Sequence, residues 1–238
     1  MAKEEGMLTA LRNQMVQEIA AHANYVSAET GKSTLAARVM EVMGKVPRHE
    51  FVPVEIKPYA YANVPLPIGH GKTISQPFIV ALMTDLLDIH PEDVVLEIGT
   101  GLGYQAAVLA ELAAKVYSVE ILEELEARAR KRLERLGYRN VETRVGNGYY
   151  GWSEYAPFDK LIVTAAPELI PAPLIAQLKP GGKMVIPAGL MGAQQLMLVE
   201  KQNNGRVVTR EVLPVRFAEL EDGAQRDVPP APSEMPKA

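Results

Sequence analysis

Two short stretches carry residue types able to do chemistry. The first, GHGKTISQP (69–77), is polar and glycine-hinged, with Ile74 as its one large aliphatic residue, and it leads straight into the apolar run FIVALMTDLLDI. It offers the hydroxyls of Thr73 and Ser75, the His70 imidazole and the Lys72 ammonium. The second runs Glu97, Ile98, Gly99, Thr100, Gly101, Leu102, Gly103, Tyr104, Gln105. Glycines at this spacing permit a tight strand-to-helix turn and let a ligand approach the backbone. The helix that follows opens with unpaired N–H groups. Glu120 closes the next β-rich run, 21 residues after Gly99, where a carboxylate can meet ribose hydroxyls. Turn, helix and acid together point to an adenosine-containing ligand.

The elements that must hold these residues follow from the pattern of the chain. Leu8, Leu11, Met15 and Ile19 recur at helical spacing, as do Leu35, Val39, Val42 and Val46. An irregular region from Pro47 leads to the polar loop. Pro77 suits the first turn of a helix predicted over 76–89. From Asp93 onward, short β-rich runs alternate with helical ones. Strands are predicted at 94–98, 116–120, 141–145, 158–164 and 183–187, with helices after the glycine turn, around 122–133 and around 169–178. The runs 194–201 and 206–217 read as a closing antiparallel hairpin turned by Asn203, Asn204 and Gly205. Such alternation predicts an α/β fold with a doubly wound, Rossmann-like sheet, mostly parallel, preceded by an N-terminal helical extension. Residues 1–75 form that extension with the covering loop, 76–220 form the ligand-binding core, and the proline-rich, polar 221–238 reads as a disordered tail.

Composition narrows the function. With 238 residues, 47% hydrophobic and 23% charged, the chain can bury a sizeable core. A net charge of −4 gives no general attraction for nucleic acid or an anionic membrane. No apolar run approaches the length needed to span a bilayer. The start, MAKEEGMLTALRNQ, lacks the basic-then-apolar grammar of a secretory signal. There are no cysteines, which excludes thiolate metal sites and cysteine nucleophiles and fits a cytoplasmic location. No metal site is expected.

The glycine spacing is G-x-G-x-G and departs from the dinucleotide fingerprint. S-adenosylmethionine has no phosphate and brings an amino-acid end that Glu97 can face directly or through water. E-x-G-x-G-x-G resembles the first motif of class I methyltransferases. The resemblance becomes specific with the other segments in order: Phe51, Val52 and Pro53, then GHGKTISQP, VLEIGTGLGYQAAVLA, NVETRVGNGYYG, APFDKLIVTAAPELIP and QLKPGGKMVIPAG. Over about residues 35–218 the chain resembles the protein-L-isoaspartate O-methyltransferases. That resemblance implies methyl transfer from S-adenosylmethionine to the α-carboxylate of L-isoaspartyl residues in damaged proteins and peptides, which starts repair through a succinimide. It makes Ser75 the active-site residue. It assigns Thr73, Ile74, Glu97, Gly99, Thr100, Gly101, Gly103, Tyr104, Gln105, Glu120, Asn147 and Gly148 to the cofactor, while Thr164, Ala165 and Ala166, small residues at the carboxyl end of a predicted strand, would leave room there for the substrate.

The chemistry asks for no nucleophile dyad. A carboxylate with a reference pKa of about 3.5 is already ionised at neutral pH, so the enzyme has to orient one oxygen and exclude water. Ser75 would orient that carboxylate, although serine is also a favoured helix cap. Two places depart from the family pattern. Asn147 stands between Gly146 and Gly148 where the family usually has aspartate, and Ala218 and Glu219 follow Phe217 where it often has valine and proline. A neutral amide meeting the adenine amine implies that Asn147→Asp would bind cofactor more tightly by roughly 1 kcal/mol. Two alternatives stay open: a carboxyl methyltransferase of the same fold acting on a specific peptide, and a relative that binds cofactor without catalysis.

Overall fold

The computed structural model describes residues 2–223; the tail expected over 221–238 lies, beyond Gly223, outside the described residues. The chain opens with helices α1 (Ala2–Tyr25), α2 (Ser27–Thr30) and α3 (Ala37–Lys45). Leu35 falls just ahead of α3. Met15 and Ile19 of α1 and Met43 of α3 are fully buried and share one core with Phe78 and Leu82.

The segment read as an irregular loop is a β-hairpin. Strand β1 (Leu66–Gly69) pairs antiparallel with β2 (Lys72–Ile74), Leu66 opposite Ile74 and Pro67 opposite Thr73. The turn between them is His70 and Gly71, both at positive φ (52° and 67°). Two-residue turns with both residues at positive φ match the right-handed twist of the flanking strands. The usual Asn-Gly or Asp-Gly signal is absent, which hid the hairpin; histidine is among the few other residues that tolerate this conformation.

Helix α4 (Pro77–Leu87) follows with Pro77 in its first turn, as predicted. It is buried on nearly every face, between the N-terminal helices on one side and the sheet on the other.

Among the described residues, seven strands form the main sheet: β3 (Val94–Ile98), β4 (Lys115–Glu120), β5 (Val141–Val145), β6 (Phe158–Val163), β7 (Leu178–Ala188), β8 (Gln195–Lys201) and β9 (Val207–Pro214). Their order is β5-β4-β3-β6-β7-β8-β9. The first four pairings are parallel, and β8 runs antiparallel to both of its neighbours. The expected α/β architecture is thus the observed one. Helices α5 (Tyr104–Ala110), α6 (Glu123–Arg135) and α7 (Ala172–Ala176) connect the strands. Two of them are shorter than the apolar pattern suggests. β7 is longer, because Leu178 already pairs with Phe158 before the register shifts at Lys160.

The sheet order reverses between β3 and β6, since β4 and β5 extend to one side of β3 and β6 onward to the other. Open α/β sheets hold ligands at the carboxyl ends of the strands at such a switch point.

Candidate active site

A cavity of about 410 Å³ opens at that point. Its floor is the glycine turn and the end of β4: Gly99, Gly101 and Glu120. The turn needs glycine. Gly99, Gly101 and Gly103 all take positive φ (96°, 56° and 94°), which L side chains rarely adopt. A Cβ on Gly99 would also lie 2.3 Å from Thr164 Oγ1. That hydroxyl donates to the carbonyls of Ile98 (3.1 Å) and Gly99 (2.7 Å), pinning the end of β6 to the turn.

Glu120 is held in place by the backbone around it. Its Oε2 accepts from Gly101 N (2.8 Å) and its Oε1 from Leu122 N (3.0 Å). A carboxylate has about four acceptor sites, so the two backbone bonds fix its orientation and leave capacity facing the cavity. Burial pushes its pKa up, against the pull of those backbone N–H groups.

Glu97 stands behind the turn, fully buried and off the cavity wall. Its Oε2 accepts from Ser118 Oγ, which is linked in turn to Thr100 Oγ1. Its Oε1 has no partner among the described residues. Burial, with a smaller push from Glu120, raises its pKa to about 8. A cationic group brought to this corner would relieve both the orphan oxygen and the crowding of two acids. An acid oriented for hydroxyls, a second buried acid and backbone open to close approach together fit a phosphate-free, positively charged adenosine ligand.

The hairpin forms one side wall. Thr73 and Ser75 face the main cavity, and Ile74 joins Thr100, Tyr104 and Gln105 around a small adjoining pocket. Ser75 does not cap α4. The N-cap is Gln76, without a side-chain cap bond, and the free amide of Phe78 is instead satisfied by Asn63 Oδ1 at 3.0 Å. The Ser75 hydroxyl is therefore released from the structural duty that serine at this place usually has.

The opposite wall comes from Thr164 and Ala165, and the roof from the stretch after β9. Ala166 lies one layer back and is the roof's anchor: its N donates to Ala218 O (2.8 Å) and its carbonyl accepts from Leu220 N (2.9 Å). Lys72 of the hairpin reaches Glu221 across the opening (2.5 Å).

Gly148 lines the cavity, but Asn147 does not. The Asn147 Oδ1 accepts from Tyr149 N (2.9 Å), and its Nδ2 donates to Asp222 Oδ1 (2.8 Å). Gly103 is also off the cavity, packed against Leu133. Residues that sequence reasoning missed include His22, stacked on Phe78 at 4.1 Å, Leu213 near the end of β9, and Val215 and Phe217 just after it. An apolar run carries no sign of which cavity it will roof.

Comparison with known proteins agrees with this geometry. The family model described as protein-L-isoaspartate(D-aspartate) O-methyltransferase matches residues 8–225. Protein-L-isoaspartate O-methyltransferase 1 of Polaromonas sp. is 64% identical over 214 residues, covering 90% of this chain and 91% of that one. The enzyme of the same name from Cupriavidus necator is 60% identical over 214 residues, covering 90% and 83%. Among solved structures, a protein-L-isoaspartate O-methyltransferase superposes with a TM-score of 0.76 at 28% identity, over 89% of this chain and 66% of its own. A Plasmodium falciparum protein reported as a member of that family, in complex with S-adenosyl-L-homocysteine, superposes with a TM-score of 0.74 at 22% identity, over 87% and 97%, and supports the fold.

Proposed function

The chain belongs to the protein-L-isoaspartate(D-aspartate) O-methyltransferase family, and from that premise we propose how its cavity performs the reaction. The protein is an S-adenosylmethionine-dependent methyltransferase that acts on the carboxylate of L-isoaspartyl residues. Bound S-adenosylmethionine supplies a methyl group on a positively charged sulfur. Glu120 would hold the ribose hydroxyls, with Gly99, Gly101 and Gly148 allowing close approach and Glu97 countering positive charge from behind the turn. Ser75 would donate to one oxygen of the substrate carboxylate and leave the other aimed at the methyl group. No base is needed, because that carboxylate is ionised at neutral pH.

The observation that carries this reading is the convergence of Ser75, Glu120 and the glycine turn on one cavity at the switch point of the sheet. The hairpin wall and the roof would shut water out, which strengthens the attraction between carboxylate and sulfonium. The partners in this reading are isoaspartyl proteins and peptides, without nucleic acid or membrane. The net charge of −4 gives no general attraction for nucleic acid or an anionic surface; separately, among the described residues no helix is long and apolar enough to cross a bilayer. The cysteine-free composition suits work in the cytoplasm.

The test is transfer of labelled methyl from S-adenosylmethionine to an isoaspartyl peptide, with the aspartyl twin as control. Label on the isoaspartyl peptide alone is expected. Equal labelling of both would point to a different carboxylate specificity, and labelling of neither to a binding protein.

A further inference from the structure

Arg48 is the largest of the fully buried side chains, at 0% exposure. It opens a one-turn helix, residues Arg48–Phe51. Among the described residues no carboxylate pairs with it. Its Nε donates to Ala60 O and its Nη2 to Ser75 O, both at 2.8 Å. Its guanidinium carbon sits 4.8 Å from the centre of the Tyr104 ring. Ser75 and Tyr104 both line the small pocket beside the main cavity, so the guanidinium lies directly behind the seam between the serine loop and the first residue of α5.

A buried charge without a counterion is costly, and a well-packed apolar side chain often serves stability better. Two carbonyls and an aromatic face offset part of that cost. What the arrangement supplies is geometry. The guanidinium presents donors in a rigid planar fork. Here the fork ties together three places far apart in the chain: the irregular segment at Ala60, the joint between β2 and α4 at Ser75, and the helix that follows the glycine turn at Tyr104.

We propose that Arg48 is a positioning residue for methyl transfer, which fixes the Ser75 peptide relative to the cofactor turn and so sets where the Ser75 hydroxyl meets the substrate carboxylate. The inference rests on the reading of Ser75 given above. Misplacing a reacting group by about 1 Å can cost about 100-fold in rate, so loss of the fork acts on turnover more than on cofactor affinity.

The experiment is a double-mutant cycle on the full chain with Arg48→Lys, Ser75→Ala and the pair. It reads kcat and KM with an isoaspartyl peptide, S-adenosylhomocysteine affinity by calorimetry, and thermal unfolding. Lysine keeps the charge but loses the fork. Arg48→Lys is expected to lower kcat by about 10- to 100-fold while S-adenosylhomocysteine affinity stays within about threefold. In the Ser75→Ala background the same change should cost less than about threefold, because residues acting as one unit are not additive. Equal losses in both backgrounds would overturn the proposal. So would an Arg48→Lys protein that fails to fold even with S-adenosylhomocysteine present, since the guanidinium would then be a folding element first. If Ser75→Ala alone left kcat unchanged, the reading of Ser75 would fail instead, a separately visible result.

Discussion

Replacing Asn147 by aspartate changes one atom's chemistry and sets two effects against each other. At the ligand, a charged acceptor would hold an adenine amine better than a neutral one, by roughly 1 kcal/mol. That effect alone would tighten binding. The structure adds Asp222, whose Oδ1 accepts from Asn147 Nδ2 at 2.8 Å. An aspartate at 147 keeps the bond to Tyr149 N, since it caps as well as asparagine, but it loses the bond to Asp222 and faces a like charge. Loss of a hydrogen bond to a charged group costs about 1.5–3 kcal/mol. Two unit charges about 2.8 Å apart repel by about 1.5 kcal/mol in water and about 6 kcal/mol at an effective dielectric of 20.

Both residues are only half-buried, so Asp222 can swing into solvent and escape most of that repulsion, which leaves the lost hydrogen bond as the main cost. The net is a destabilisation of about 2 kcal/mol, or about 4–8 °C in Tm for a chain of this size. Asp222 directly follows the cavity-lining stretch that ends at Glu221, so its displacement loosens the roof. Cofactor affinity should therefore fall or stay level. Calorimetric titration with S-adenosylmethionine, alongside thermal unfolding, measures both quantities. Adding Asp222→Asn to Asn147→Asp restores one donor and one acceptor and should recover most of the lost Tm. A single Asn147→Asp protein that binds more tightly by about 1 kcal/mol at unchanged Tm would refute this reasoning.

Three further outcomes follow from the site. Ser75→Ala should leave cofactor binding nearly intact and slow turnover by about 10- to 150-fold, the equivalent of one hydrogen bond to a charged group; loss of cofactor binding with the fold intact would make Ser75 a cofactor ligand. Glu120→Ala should weaken S-adenosylmethionine and S-adenosylhomocysteine alike, because they share the ribose; an effect on one alone would place Glu120 elsewhere. Glu97 has a folded pKa of about 8 against an ordinary 4.5, so the ligand-free folded chain keeps a proton that the unfolded chain has released. Stability from this group is full below about pH 4.5 and is lost as pH rises toward 8, by about 1.4 kcal/mol per unit. Glu97→Gln should flatten that slope in denaturant unfolding between pH 5 and 8, and parallel slopes would count against a protonated Glu97.

The parts of this protein that are local along the chain follow directly from the order of its residues. The glycine turn, the start of α4 at Pro77 and the strand end at Glu120 were legible because each depends on what one residue type permits its own backbone or nearest neighbours to do. The alternation of β-rich and helical runs likewise dictated the parallel sheet, since parallel strands need crossover connections. Tertiary structure decided which side chains meet. Glu97 was expected at the ligand and lies behind the turn, because strand pleat points its carboxylate at Ser118. The polar loop became a hairpin because its two strands find each other across His70 and Gly71. Arg48 reaches Ser75 across 27 positions, and Asn147 reaches Asp222 across 75. Hydrogen bonds of that range leave no periodicity in the sequence; they exist only once the packed core has brought the segments together and excluded the water that would otherwise compete for them.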